Sequence, residues 1–250
     1  MIIIGGCSWS DPHFTSTLEP KYDNNHPKWW NHLNTEKKVK VLGRSGSGID
    51  EMVQILITEV KTNKKVTEVI CANSDWLRYT LLGRHMNPQL TYYSRRSQEF
   101  VDLMNIKMKN IIHQIDMIKP YMYNEIRWEF IHQHAIDRTL TLLLSLVDVC
   151  RAHNVKIHIF QMLQLVHINT EFDVKFMQKF VHHKLANVLE DTGVCHAWPW
   201  SDMIGGSSVD DAIKHADPEK TMRISDTDFH PNEKGHKFIG DWVNAHISLD

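Results

Sequence analysis

Short apolar runs rich in β-branched residues recur along this sequence, and segments with helical spacing separate them. The runs are Ile2 to Ile4, Val39 to Leu42, Val66 to Cys71, Val155 to Phe160 and Gly193 to Ala197. Runs of this length without strict polar alternation are typical of strands that are buried on both faces. Strands that alternate with helices predict a parallel sheet with helices packed on both sides. We therefore expect an α/β fold with a mainly parallel, five-stranded sheet.

The segments between these runs carry apolar residues at helical spacing. Helices are predicted over Ile49 to Val60, Phe172 to Leu189 and Glu233 to His246. The interval from Ser94 to Asn154 is longer than one strand-to-helix connection requires, and Pro120 lies in its middle. Because proline ends or kinks a helix, this interval is predicted to be a helical insertion of two helices that meet near Pro120. No repeat, low-complexity tract or linker divides the 250 residues, so a single domain over 1–250 is expected.

The charge balance excludes two classes of partner. The chain has 28 Lys and Arg against 30 Asp and Glu, which gives a formal net charge of -2. A chain this close to neutral has no electrostatic footprint for nucleic acid or for an anionic membrane. No apolar stretch in the sequence reaches transmembrane length. Neither nucleic acid nor a membrane is therefore expected as a partner. The net charge does not predict an oligomeric state.

The cysteines and the N-terminus indicate the compartment. Cys7, Cys71, Cys150 and Cys195 lie far apart and form no Cys-x-x-Cys pair, which favours buried thiols in a reducing compartment. The apolar run at the N-terminus is too short for a signal peptide and lacks the charged flank of one. We expect a cytoplasmic location.

Residues that directly follow a predicted strand carry the chemistry, because the carboxyl ends of parallel strands meet at one edge of the sheet. After the first strand, glycines permit a tight turn that places the hydroxyl of Ser8 at this edge. After the second strand, the loop Gly43 to Gly48 can aim backbone N–H groups at an anion, although the Gly-Lys-Ser/Thr of a P-loop is absent. After the third strand, the amide of Asn73 is a neutral donor suited to a developing oxyanion.

The last helix is preceded by a histidine with two acidic neighbours. His230 follows Asp228 by two residues and Asp226 by four, and Pro231 comes next. A histidine beside a carboxylate is the usual general base for a serine nucleophile. The chain therefore presents, in order, a nucleophile, two oxyanion donors and a base.

This series of motifs resembles the SGNH hydrolase (GDSL-like lipase/esterase) superfamily. Ser8 matches the nucleophile of its first block, Gly46 the backbone donor of the second, Asn73 the side-chain donor of the third and His230 the base of the last. The resemblance implies a three-layer α/β/α flavodoxin-like fold. It also implies a serine esterase that hydrolyses a carboxylic ester through an acyl-enzyme. The substrate expected from the resemblance is a small-molecule or carbohydrate ester, with an O-acetyl group on a sugar as first choice.

Three positions depart from the family pattern. Cys7 and Ser74 stand where the family has aspartates, and Thr227 occupies the position of the triad acid. The Cys-Ser-aromatic start resembles a divergent branch common in viral genomes, which would add association with a virion to the expected location. The departures also support an alternative class, a catalytically silent structural or sugar-binding module with the same fold. A lipase or thioesterase is the second enzyme alternative, favoured if residues 94–154 form an apolar lid.

The missing acid leaves two candidates to orient the histidine. Asp228 reaches the imidazole ring if the segment turns tightly before Pro231, since a residue before proline avoids helical backbone. Asp226 must span a longer loop, and a backbone carbonyl is a third possibility. Asp228 is the prediction.

Competing interpretations exist for other polar residues. Serine is a favoured helix N-cap, so Ser8 has a structural interpretation, and Ser10 is expected to be a cap. The pairs His132-x-His134 and His182-His183 lack carboxylate or cysteine neighbours at the spacing of a metal site. No metal and no cofactor is predicted.

Overall fold

The fold is built on a five-stranded parallel sheet. The computed structural model describes residues 1–74, 76, 79–81, 84–86, 125–163, 179–180, 182–196 and 208–249. Its strands are β1 (Ile2–Gly5), β2 (Val39–Val41), β3 (Glu68–Asn73), β4 (Tyr79–Leu81), β5 (Arg84–Met86), β6 (Lys156–Gln161) and β7 (Cys195–His196). Its α-helices are α1 (Ile49–Thr62), α2 (Glu125–Ala152), α3 (Lys184–Glu190), α4 (Val209–Ala216) and α5 (Glu233–His246).

The sheet confirms the fold predicted from the sequence. The strands lie in the order β2-β1-β3-β6-β7, and every neighbouring pair is parallel. Counted along the chain, this is the 2-1-3-4-5 order of flavodoxin-like folds. All five predicted apolar runs form its strands. A short antiparallel hairpin of β4 and β5, which the sequence did not predict, stands apart from this sheet.

Most helix predictions are confirmed, and one needs correction. Helix α1 begins at Ile49 as predicted, and α5 has the predicted bounds. Helix α2 occupies the second half of the predicted insertion, while Pro120 and the rest of the insertion lie outside the described residues. The helix predicted over Phe172 to Leu189 is wrong as an uninterrupted element. Its last part is α3, which begins after a non-helical turn whose His183 ring accepts a hydrogen bond from the Leu185 N–H.

Side chains of the strands alternate between two hydrophobic cores because successive residues point to opposite faces. One core holds Ile3, Val69 and Ile157 together with the buried faces of α1, α2 and α3. The other core holds Ile4 and Ile70 together with the buried faces of α4 and α5. The sheet is therefore the middle layer of an α/β/α arrangement. Within the described residues, no helix has the length and apolarity needed to cross a membrane.

The parallel register brings the carboxyl ends of the strands to one edge. Gly5 of β1 lies beside Cys71 of β3, and Asn73 at the end of β3 lies beside Gln161 at the end of β6. Segments that leave these strands therefore start next to one another. The Ser8 turn, the Gly43 to Gly48 loop and Asn73 all lie at this edge.

Truncation of Leu56 tests the packing of α1 on the sheet. Leu56 is fully buried in the core formed with α2. Leu56→Ala should lower the free energy of unfolding by about 2–5 kcal/mol, because it removes buried methyl groups and leaves a cavity. Urea denaturation measures the loss. Gln54→Ala, at an exposed position of the same helix, is the matched control and should change stability by less than about 0.5 kcal/mol.

Candidate active site

Ser8 opens a single turn of 3-10 helix, Ser8–Ser10, directly after β1. The residue in the N-cap position is Cys7, which is buried and makes no side-chain cap. The capping interpretation of Ser8 therefore does not apply. The Ser8 hydroxyl instead lies 2.8 Å from the Nε2 atom of His230, at a half-buried position.

Ser10 has a different environment although it lies in the same turn. It is fully buried, and its hydroxyl accepts a hydrogen bond of 3.3 Å from the indole N–H of Trp29. The expected cap role of Ser10 is wrong, because its side chain points into the core. A 3-10 turn places residues two apart on different sides of the backbone, so only Ser8 contacts the histidine.

A folded loop before α5 positions His230. The backbone N–H of Ile224 donates to the His230 carbonyl at 2.9 Å, and Arg223 pairs with Pro231 in an isolated antiparallel bridge. Asn232 then caps α5 by accepting a hydrogen bond from the Gly235 N–H. The histidine is therefore held between a backbone bridge and a helix cap.

Asp228 is the carboxylate in contact with this histidine. Its Oδ1 atom lies 2.5 Å from His230 Nδ1 and accepts a second hydrogen bond, at 3.1 Å, from the His230 backbone N–H. Asp226 is exposed and makes no contact with the ring among the described residues. Thr227, at the family's acid position, is also exposed. The chain turns tightly at Asp228, where the Ser225 hydroxyl accepts a hydrogen bond from the Asp228 N–H at 3.0 Å.

The ionisation state of Asp228 determines the tautomer of the ring. Burial opposes ionisation of this carboxyl, but hydrogen bonds from His230 and Ser16 outweigh it and lower the pKa of Asp228 to about 2. An ionised carboxylate can only accept, so His230 Nδ1 must carry the proton that lies between them. In the neutral ring, the lone pair of Nε2 then faces the Ser8 hydroxyl. This is the arrangement that a general base requires.

The loop that contains Gly46 is hydrogen-bonded to the chain just after the Ser8–Ser10 turn. The carboxylate of Asp11 accepts hydrogen bonds from the Ser45 N–H at 2.8 Å and from the Ser45 hydroxyl at 2.6 Å. A side chain at Gly43 would collide with the Ser10 carbonyl, because a Cβ atom there would lie 2.1 Å from that oxygen. Gly46 adopts a positive φ of 78°, which glycine tolerates without strain. Among the described residues, neither the Ser8 N–H nor the Gly46 N–H has a protein acceptor, so both are available to an oxyanion.

Gln161 orients Asn73. Its Oε1 atom accepts hydrogen bonds from the Asn73 Nδ2 at 3.0 Å and from the Trp76 indole N–H at 2.9 Å. Its own amide donates to the carbonyls of Ser74 and Leu163. Asn73 Oδ1 accepts from the Ser74 N–H at 3.1 Å, which fixes the orientation of the amide. Its Nδ2 carries two protons, and Gln161 is the one acceptor for them among the described residues.

Three residues of this arrangement escaped the sequence analysis. Gln161 directly follows the predicted run Val155 to Phe160 and ends the observed strand β6, so the rule that identified Asn73 could also have found it. Phe14 stacks on the His230 ring with 4.1 Å between centroids, and Ser16 donates to Asp228. No local pattern marks these two, because both contacts join residues more than two hundred positions apart.

In the pair His182-His183, one histidine has partners for both of its ring nitrogens. For the pair His132-x-His134, the side chain of His132 lies outside the described residues. His183 uses Nε2 for a 2.8 Å contact with Asp137 and its other nitrogen to cap α3. In the described ranges, no three His, Cys, Asp or Glu side chains come together in a way that could hold a metal ion.

Comparison with known proteins leaves the function to be inferred from the fold and this site. The sequence matches no protein-family model, and no curated protein matches it significantly.

Exchange of each aspartate for asparagine separates the two candidates for the acid. For a reaction in which His230 activates Ser8, Asp228→Asn should lower kcat by on the order of 10³–10⁴-fold, because the amide no longer fixes the tautomer or stabilises the imidazolium. Asp226→Asn is the matched control, with the same charge change at an exposed position, and should keep the wild-type rate. Steady-state kinetics on an activated acetate ester measures both. Near-native rates in both variants would mean that the site works without an orienting acid.

Proposed function

We propose that this protein is a serine esterase that hydrolyses a carboxylic ester through an acyl-enzyme. One observation carries the proposal: Ser8, His230 and Asp228 form a continuous line of side-chain contacts at the carboxyl edge of the sheet. The distances are 2.8 Å from nucleophile to base and 2.5 Å from base to acid. The first distance lies within the range of about 2.6–3.2 Å in which a base assists proton transfer from serine.

Acylation follows from these contacts. As Ser8 Oγ attacks the ester carbonyl carbon, its proton passes to His230 Nε2 and a bond from Oγ to that carbon forms. The bond from the carbon to the alcohol oxygen then breaks, and the leaving alcohol takes the proton from Nε2. Asp228 stays ionised and stabilises the transient imidazolium.

Deacylation repeats the same proton path with water. His230 takes a proton from the water molecule that attacks the acyl carbon, and the bond to Ser8 Oγ breaks. Ser8 recovers a proton from Nε2, and the carboxylic acid leaves. Every step uses groups of the chain itself, so the proposed reaction assigns no role to a metal or cofactor.

The oxyanion of both tetrahedral intermediates is assigned to three donors. They are the backbone N–H groups of Ser8 and Gly46 and the second Nδ2 proton of Asn73, which has no acceptor among the described residues. Their support is structural: the two N–H groups have no protein acceptor in the described part of the chain, and Gln161 holds the Asn73 amide in place. Preorganised donors of this kind are worth about 10²–10³-fold in kcat each.

The departures from the SGNH pattern do not favour a silent module. Asp228 makes the contact that the family's acid would make, although Thr227 holds that position. Cys7 is buried and leaves Ser8 free to face the histidine. The resemblance to SGNH hydrolases therefore supports an enzyme, with an O-acetyl group on a carbohydrate as the proposed substrate.

The compartment belongs to the same proposal. All four cysteines are free, and Cys7, Cys71 and Cys150 are buried. Burial raises the pKa of the Cys71 thiol and raises that of Cys150 to about 12, so these thiols are unreactive. We therefore place the protein in a reducing compartment such as the cytoplasm, or in a particle assembled there.

A fluorophosphonate probe tests the nucleophile directly. The probe should phosphonylate Ser8 with loss of fluoride, and Ser8→Ala should abolish both labelling and ester hydrolysis. Ser10→Ala is the control, because this neighbouring serine faces the core and contacts Trp29. Labelling is read by gel fluorescence and located by peptide mass spectrometry. Absence of labelling in the wild-type protein would refute the esterase proposal.

The pH dependence of kcat/KM should show one proton on its acidic side. His230 must be neutral to accept the Ser8 proton, so activity rises as that proton is lost. Asp228, with its pKa lowered to about 2, is ionised above about pH 3 and adds no second step. A plot of log kcat/KM against pH should therefore have a limiting slope of one. A slope of two would show that the carboxyl titrates in the same range.

A further inference from the structure

The second oxygen of Asp228 is held by a serine from a distant loop. Ser16 Oγ donates a hydrogen bond to Asp228 Oδ2, and both side chains are at least nine-tenths buried. The Glu19 backbone N–H donates to the same Ser16 oxygen at 2.7 Å. Because an N–H can only donate, the Ser16 oxygen accepts there and its own proton is directed at the carboxylate.

The two oxygens of Asp228 have separate donors. Oδ1 receives both hydrogen bonds from His230, and Oδ2 receives the one from Ser16. No other donor to Oδ2 is present in the described part of the chain. Loss of the Ser16 hydroxyl would leave a buried, charged oxygen unsatisfied, and the carboxylate would turn or take up a proton to compensate.

The loop that carries Ser16 also packs against His230. Phe14 covers one face of the His230 ring, and the Phe14 carbonyl accepts a hydrogen bond from the Asn24 amide. The ammonium of the buried Lys28 donates in turn to the Asn24 carbonyl at 2.9 Å. Hydrogen bonds therefore hold the segment of residues 14–28 together, and this segment contacts both His230 and Asp228.

We propose that Ser16 is a positioning residue that fixes the Asp228 carboxylate and, through it, the tautomer and orientation of His230. The predicted effect of Ser16 on the reaction rate rests on the proposed esterase function. The contact with Asp228 has a consequence for the titration of the carboxyl that does not depend on catalysis. A purely structural serine, which only closes the turn at Glu19, would leave that titration unchanged.

Kinetics of Ser16 variants test the effect on rate. Ser16→Ala should lower kcat for an activated acetate ester about tenfold with KM unchanged, because the carboxylate is less well aimed in the transition state. Ser16→Thr keeps the hydroxyl and should retain most of the rate. Ser145→Ala, at an exposed position of α2 where the hydroxyl donates to the Thr141 carbonyl of the same helix, is the matched control. A folded Ser16→Ala variant with wild-type kcat would overturn the proposal.

Carbon-13 NMR of labelled aspartate carboxyls tests the contact independently of activity. The Asp228 resonance is assigned by its absence in Asp228→Asn. Its pKa should move up by about one unit in Ser16→Ala, since a donor that favours the charged form is lost.

If Ser16→Ala does not fold, Ser16→Cys replaces it, because the thiol has a similar volume but donates weakly. An unmoved titration overturns the role of Ser16. A wild-type protein that neither hydrolyses esters nor takes the probe refutes the esterase proposal instead, and the titration still decides the contact.

Discussion

Parallel pairing of β1 with β3 sets the geometry on which the rest of the molecule depends. The pairing places Ile4 beside Ile70 and Gly5 beside Cys71, so that β1 ends two residues short of Asn73, the last residue of β3. Their side chains alternate into two cores, each sealed by helices on one face. The Ser8 turn, the Gly43 to Gly48 loop and Asn73 lie at the edge where these strands end. The loop before α5 brings His230 to the same edge, within 2.8 Å of Ser8.

Glu68 and Asp228 are both buried carboxylates, but different partners stabilise their charges. Glu68, at the start of β3, is fully buried and accepts contacts from Lys37 at 3.0 Å and from His158 at 2.9 Å. Burial opposes its ionisation, but these partners outweigh burial and lower the pKa of Glu68. That carboxylate is satisfied by a lysine and a histidine, and Lys37 supplies a permanent positive charge. Among the described residues, the partners of Asp228 are a histidine and neutral donors, with no lysine or arginine beside it.

Hydrogen bonds from side chains outside the Ser8, His230 and Asp228 contacts also hold the site in place. Gln161 ties Asn73 to Trp76, and Asp11 ties the nucleophile turn to the Gly46 loop. Each of these bridges joins elements that leave the sheet independently. Catalysis by preorganised donors needs such bridges, since a donor that must reorient during the reaction loses most of its effect.

The sequence by itself determined the strands, their alternation with helices and the edge residues Ser8, Asn73 and His230. These depend on hydrophobic periodicity and turn chemistry, which act over a few residues and are visible in a single chain. The sequence also favoured Asp228 as the partner of His230, but only the tertiary structure decided the buried neighbours that hold these side chains. Ser10, two positions from the nucleophile, is a core residue because Trp29 packs above it. Ser16 meets Asp228 across 212 positions, and Asn73 meets Gln161 across 88. Contacts of this kind leave no local pattern, because they arise from the order in which parallel strands assemble and from the loops which that order brings together.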